Sequence, residues 1–187
     1  MSALRDDGMT MRQDLKQIIE RERTLYIPHV RSLKNRIMVW YTHAEEYRIF
    51  RFICALRKAE YYQGRNILLY VFWLRRANIR GEALGFSIPP GVLGPGVWIY
   101  HNGNIIINLH STVGEGCRFH GDNCIGNNGK DNRCPVLGKR VDLGVGARVI
   151  GGVTLADDII VGANAVVTKS FLEPGITIAG VPAKKIE

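Results

Sequence analysis

From Leu137 to Val167 an aliphatic residue returns at every sixth position, as Leu137, Leu143, Val149, Leu155, Val161 and Val167. The frame continues upstream through Ile125, Phe119 and Val113 to Ile107. It breaks once, between Ile125 and Leu137, where Gly-Asn-Asn-Gly-Lys-Asp-Asn-Arg-Cys-Pro has the chemistry of a loop. Small residues follow most anchors: Gly114, Gly126, Gly138, Gly144, Ala156 and Gly162. A period of six fits neither the 3.6 of a helix nor simple strand alternation. It predicts a hexapeptide β-helix, in which short strands coil around a triangular prism and each coil buries its aliphatics against the next. An antiparallel sandwich with evenly spaced strands is the alternative, and it would not hold one frame through so many steps.

Upstream the pattern is helical. A helix opening at Thr10 carries Met11, Leu15, Ile18 and Ile19 on one side and stops before Pro28, while residues 1–9 read as a loose polar segment. A basic segment runs from His29 to Tyr41. Thr42 then offers a cap for a helix over 44–62, with Glu45 in the capping-box position and Phe50, Ile53, Leu56, Ala59 and Tyr61 as its apolar stripe. Gly64 stops that helix, and another over 66–80 ends at Gly81. Ser87-Ile88-Pro89-Pro90-Gly91 forbids helix and marks the change of regime. The spacing therefore predicts an α-helical N-terminal domain over 1–85 and a hexapeptide-repeat domain over 86–187.

Composition follows the same division. Residues 1–85 hold 4 of the 21 glycines and carry a net charge of +7 out of the chain's +8. A basic cap attracts anions: nucleic acid, an acidic membrane face, a phosphate-bearing cofactor or an acidic glycan. No nucleic-acid motif accompanies it, and Arg57, Lys58, Arg75, Arg76 and Arg80 at helical spacing read equally as a solvated face beside an aromatic core. The four cysteines, Cys54, Cys117, Cys124 and Cys134, form no C-x-x-C pair and fit reduced thiols in a cytoplasmic protein. No signal peptide or transmembrane span is evident. The longest apolar run, Ile67 to Leu74, is far short of the roughly 20 residues needed to span a bilayer.

Within the repeats, His101 occupies a frame position, six before Ile107, where an aliphatic residue is expected; such departures cluster at functional sites. His120 follows the anchor Phe119 at a position that is usually small, and His110 reads as a loop residue. The spacing of these three histidines does not suit a zinc site, so no metal is expected.

Gly94-Pro-Gly-Val-Trp-Ile-Tyr-His101-Asn-Gly-Asn-Ile-Ile-Ile-Asn108 resembles the catalytic coil of bacterial serine acetyltransferases, and Ile178-Ala-Gly-Val-Pro-Ala-Lys184 resembles the closing coil of hexapeptide acyltransferases. Leu56-Arg-Lys-Ala-Glu-Tyr-Tyr62, Gly85-Phe-Ser-Ile-Pro-Pro90 and Cys117-Arg-Phe-His120 are similar to a subgroup found among bacterial surface-polysaccharide genes. The resemblance implies a left-handed parallel β-helix, a homotrimer with active sites between subunits, and acetyl-CoA as donor. It implies His101 as general base, with His120 a second candidate catalytic residue, and Val145, Ala163, Thr168, Lys169 and Lys184 along the CoA groove. Three positions depart from the serine acetyltransferase pattern. Tyr100 replaces the Asp before the catalytic histidine, Cys134 replaces a second active-site histidine, and no carboxylate near Phe86 is available to orient His101.

The expected function is therefore acetyl-CoA-dependent O-acetyl transfer to a small-molecule hydroxyl, either of L-serine or of a sugar in polysaccharide biosynthesis. A non-catalytic scaffold or a metal-dependent hydratase on the same fold is the alternative. A cytoplasmic enzyme that binds no nucleic acid is expected, with a peripheral membrane contact of the basic cap left open.

Overall fold

The computed structural model describes residues 10–30 and 32–186; the segment 1–9 and the side chains of residues 10–14, Met11 among them, lie outside the described residues. Short strands wind into a prism with three faces. One sheet takes β1 (Phe86–Ser87), β3 (Ile105–Ile107), β6 (Cys124–Gly126), β9 (Arg148–Ile150) and β12 (Val166–Val167). A second takes β4 (Thr112–Val113), β7 (Val136–Leu137) and β10 (Thr154–Leu155). The third takes β2 (Trp98–Ile99), β5 (Arg118–Phe119), β8 (Asp142–Leu143), β11 (Ile160–Val161), β13 (Thr177–Ala179) and β14 (Lys184–Ile186). The pairings are parallel except between β13 and β14, where the chain doubles back.

The six-residue frame is the inward face of this prism. On the third sheet Ile99, Phe119, Leu143, Val161 and Ile178 stack in register, and all are almost completely buried. Each buried aliphatic of this size contributes about 1.5–3 kcal/mol relative to exposure. Glycines follow where coils approach: a Cβ on Gly138 would lie 2.7 Å from the Asp157 nitrogen.

His101 does not hold the aliphatic slot that the frame assigns to it. The inward residue of its coil is Ile99, paired with Phe119, and this coil is two residues longer than the one from Leu143 to Val161. The extra length is absorbed in the turn over 100–104, so the frame slips and His101 projects from the turn with its side chain 68% exposed.

The cap contains α1 (Thr10–Tyr26), α2 (Leu33–Tyr41), α3 (Glu45–Tyr62) and α4 (Ile67–Glu82). Thr42 does not cap α3. It ends α2 and its hydroxyl donates to the Met38 carbonyl, whereas Ala44 precedes α3 without a side-chain cap. Glu45 is thereby free of a capping role. Asn66 does cap α4, accepting from Leu69 N at 3.0 Å. Gly81 does not end α4 but lies inside it, where a Cβ would meet the Phe86 carbonyl at 2.9 Å and the Phe52 ring at 3.1 Å. On α3 the apolar face is set by Ile49, Phe52, Ile53, Ala55, Leu56 and Ala59, with Phe50 and Tyr61 only half-buried at its margin.

A polar network fastens the cap to the first coil. The buried Arg57 guanidinium donates to the carbonyls of Leu93 (2.6 Å) and Gly94 (2.5 Å) and pairs with Glu22 at 3.3 Å and Glu60 at 3.1 Å. Glu22 accepts from Gly96 N and Glu60 from Gly91 N. The Tyr26 hydroxyl donates to the Val97 carbonyl and accepts from Ile99 N. Burial raises the Glu22 carboxyl above the ordinary range despite the opposing charge of Arg57. Removing one partner of such a buried set strands the others. Arg57→Leu is expected to cost about 3–5 kcal/mol of unfolding free energy by urea denaturation; a loss below about 1 kcal/mol would show that the network does not hold the cap.

Candidate active site

Each coil leaves the third sheet through a turn, and these turns stack along one edge of the prism. His101-Asn102-Gly103 follows β2, Gly121-Asp122 follows β5, Val145-Gly146 follows β8, and Ala163-Asn164 follows β11. Backbone bonds tie them in a ladder: Gly146 N donates to the Gly121 carbonyl and Asn164 N to the Val145 carbonyl. Gly103 N donates to the Leu84 carbonyl, which joins the first turn to the end of the cap. The edge is floored by small residues: a Cβ on Gly144 would lie 2.7 Å from Ala163 N. Val145 and Ala163 are exposed on this edge.

The turn carrying His101 is held by α3. Glu45 Oε1 accepts from Asn102 N at 2.5 Å, and Glu45 Oε2 stands 3.7 Å from His101 Nδ1, at ion-pairing rather than hydrogen-bonding distance. The Asn102 carboxamide bridges onward: with its nitrogen donating to Glu45 Oε1 at 2.6 Å, its oxygen accepts from Arg48 Nη2 at 3.2 Å. Glu45 is the carboxylate beside His101 that sequence reasoning missed. Its place at a helix start gave it a capping reading, and nothing local signals a contact to a turn so far along the chain.

His120 is half-buried and differently engaged. Its ring stacks on Tyr100 with centroids 4.5 Å apart, Tyr100 stacks on Trp98 at 5.1 Å, and His120 Nε2 meets Asp142 Oδ1 at 2.9 Å. The other Asp142 oxygen takes Arg118 Nη1 at 3.3 Å. Tyr100 thus precedes His101 in the chain and stacks on His120; the cap holds the turn of the first histidine through Asn102, and the next coil holds the second.

Of the expected CoA-groove residues, Val145 and Ala163 share the His101 edge. Thr168 and Lys169 lie beyond β12, on the next corner, where Lys169 Nζ sits 5.3 Å from the Phe171 ring centroid. Lys184 opens β14 opposite Ala179, and its side chain is exposed. Cys134 is half-buried in the long loop before β7, where Asp131 holds Arg133 through Nε and Nη2 at 3.0 and 2.8 Å. Burial pushes the Cys54 thiol up to about 12 and the Cys117 thiol up to about 11, which leaves both as inert core thiols. Among the described residues no group of three or more His, Cys, Asp or Glu could hold a metal ion, and no helix is long and apolar enough to cross a membrane.

No protein-family model matches the chain. A serine acetyltransferase of Helicobacter pylori is 31% identical over 168 residues, covering 88% of this chain and 93% of that protein. The chain belongs to the serine acetyltransferase family. Solved structures of serine acetyltransferases share its fold. The soybean apoenzyme covers 96% of this chain and 72% of its own, with a TM-score of 0.75 at 19% identity. The Brucella abortus enzyme in complex with coenzyme A covers 95% of this chain and 70% of its own, with a TM-score of 0.71 at 21% identity. The prism is accordingly a left-handed parallel β-helix with an N-terminal helical cap, an acyltransferase scaffold.

Within this serine acetyltransferase-type fold, Glu45 should hold the His101 turn against the cap. Glu45→Ala is expected to raise the hydrogen-exchange rate of the Asn102 amide, while amides of the inward strands such as Leu143 keep their protection. An unchanged Asn102 rate would show that the contact does not order the turn.

Proposed function

We propose that the chain is an acetyl-CoA-dependent O-acetyltransferase in which His101 is the general base. The observation that carries this reading is the exposed His101 imidazole at the head of the edge on which Val145 and Ala163 stand. The long likeness to a serine acetyltransferase and the coenzyme A held by the Brucella abortus enzyme support it.

Acetyl-CoA supplies an activated acyl group and a thiol leaving group. With Glu45 facing Nδ1, the imidazole Nε2 is left to take the proton from an acceptor hydroxyl. The hydroxyl oxygen forms its bond to the thioester carbonyl carbon, the carbon–sulfur bond breaks, and the proton held on His101 passes to the departing sulfur. Holding both reactants beside one base supplies proximity, so the chain's own residues need form no covalent bond. Val145 and Ala163 would lie beneath the pantetheine arm, with Thr168, Lys169 and Lys184 toward the phosphate end. Glu45 acts through His101, as a positioning residue. His120, bound to Asp142 and stacked on Tyr100, would line the acceptor side.

A homotrimer fits this reading. Val145 on the His101 edge and Ile160 on the third sheet stand exposed on the outside of the single prism, where a neighbouring subunit would cover them and close the site over His101. Residues 1–85 then act as the cap and residues 86–187 as the acetyltransferase domain, working in the cytoplasm. The exposed Ile67, Leu68, Val71 and Phe72 beside Arg75 and Arg76 on α4 support a peripheral membrane contact.

L-serine is the acceptor in keeping with the names of the relatives. A sugar hydroxyl is the second reading. It is favoured by Tyr100, which precedes His101 where the serine acetyltransferase pattern has Asp and whose ring stacks between Trp98 and His120.

The test is release of CoA thiol from acetyl-CoA over L-serine, homoserine, sugars and nucleotide-sugars. His101→Ala is expected to lower kcat about 10²–10⁴-fold with the fold intact. Turnover unchanged in that variant would remove His101 as base. Lys184→Ala should raise the KM for acetyl-CoA several-fold with little change in kcat, as expected for a lost charge-assisted contact. An unchanged KM would place the phosphates elsewhere.

A further inference from the structure

Helix α4 is apolar on more sides than its packing uses. It opens with Ile-Leu-Leu-Tyr-Val-Phe-Trp-Leu over 67–74, eight apolar or aromatic residues in succession. Tyr70, Trp73, Leu74, Ala77 and Gly81, at helical spacing, turn inward against α3 and β1 and are buried or half-buried. Ile67, Leu68, Val71, Phe72 and Ile79 turn outward on the opposite side, where Ile67 is 70% and Leu68 79% exposed. A helix docked on one face needs one apolar stripe. A second stripe on the far side calls for a second apolar environment.

The charge around this outer stripe has one sign. From Tyr61 to Gly81 the chain holds Arg65, Arg75, Arg76 and Arg80 and no acidic residue. Along α3 the segment 47–59 is likewise basic and without an acid. Glu60 is engaged by Arg57 and by Gly91 N, and Glu82, the only carboxylate of α4, lies about three turns past Phe72. Arg75 stands exposed four residues after Val71, and the Arg76 guanidinium lies 5.0 Å from the Phe72 ring centroid, so cation and apolar surface are presented together. Among the described residues neither arginine pairs with a carboxylate.

The occupant of such a face must offer an apolar phase bordered by negative charge. A second copy of the chain offers the first without the second. A two-fold contact would set Arg75 and Arg76 against their own images, on a cap that carries +7. A bilayer with anionic headgroups offers both. The run over 67–74 extends only about 12 Å along the helix axis, and α4 is too short to cross a membrane, so it would lie along the surface.

We propose that the outer face of α4 docks the protein on an anionic lipid bilayer, with Ile67, Leu68, Val71 and Phe72 entering the acyl boundary and Arg75 and Arg76 among the headgroups. The docking face gives the membrane contact of the cap its residues and its lipid class; it rests on that contact and not on acetyl transfer.

The experiment is co-sedimentation of the full chain with vesicles of phosphatidylcholine, alone or mixed with phosphatidylglycerol. Binding is expected on the mixed vesicles, falling as sodium chloride is raised, and about tenfold weaker or less on phosphatidylcholine alone. Leu68→Glu removes an apolar anchor at an exposed position and is expected to weaken binding about tenfold or more with the melting temperature unchanged. Arg75→Gln combined with Arg76→Gln is expected to weaken binding to mixed vesicles about 25-fold, at about fivefold per arginine beside an anionic surface. No binding to either vesicle, or equal and salt-insensitive binding to both, would overturn the proposal. Binding that survives both sets of substitutions would keep a membrane contact of the cap and overturn α4 as its face. A larger assembly by light scattering without vesicles, split into smaller ones by Leu68→Glu, would assign the face to a second copy and overturn the bilayer. Absence of acetyl transfer with vesicle binding retained and lost in Leu68→Glu would count against the transferase reading and leave the docking face standing.

Discussion

The buried Arg57 guanidinium is the joint on which the rest of the molecule depends. It is nearly removed from water, and it satisfies two backbone carbonyls of the first coil and two carboxylates of the cap at once. A β-helix has an open end whose first coil has no preceding coil to stack on, and a helix surface has no repeat to continue. The Arg57 network and the Tyr26 hydroxyl make the two compatible by giving the coil's free polar groups partners from helices. The same docking fixes where α3 begins, and so puts Glu45 against the turn that carries His101.

Position along one edge of the prism then does the work that a deep pocket does in other folds. A single chain offers a ladder of turns with small residues beneath and an imidazole at its head. The His101 side chain faces the Glu45 carboxylate on its Nδ1 side and is exposed elsewhere, an arrangement suited to a base that must meet a second reactant. His120 has the opposite character, stacked on an aromatic ring and bonded to a carboxylate from the next coil. Two histidines close in sequence thus differ in freedom because one sits in a lengthened turn and the other directly follows a regular strand.

The repeat was legible because its cause is local: each coil must turn at nearly the same residue and bury the same side chain, so Phe119, Leu143 and Val161 announce themselves by spacing alone. The turn at 100–104 was less legible. A two-residue lengthening looks, in a one-dimensional frame, like a substitution at an inward slot, so the spacing assigns His101 a position that Ile99 fills. Glu45 was beyond reach for a different reason. Its partner, Asn102, lies on another element, and a charged residue on a helix has the same local pattern whether it faces water or a neighbouring turn. Gly81 was misread for a similar cause, since a glycine needed for close approach to Phe86 resembles a glycine needed to stop a helix.

The central claim is that the donor lies along the edge from Ala163 to His101. The measurement that tests it most directly is a crystal structure of the assembled protein with coenzyme A. The account predicts the sulfur beside the His101 imidazole, the pantetheine arm over Val145 and Ala163, and a neighbouring subunit across the groove. Coenzyme A bound with its sulfur away from the 100–104 turn would contradict it.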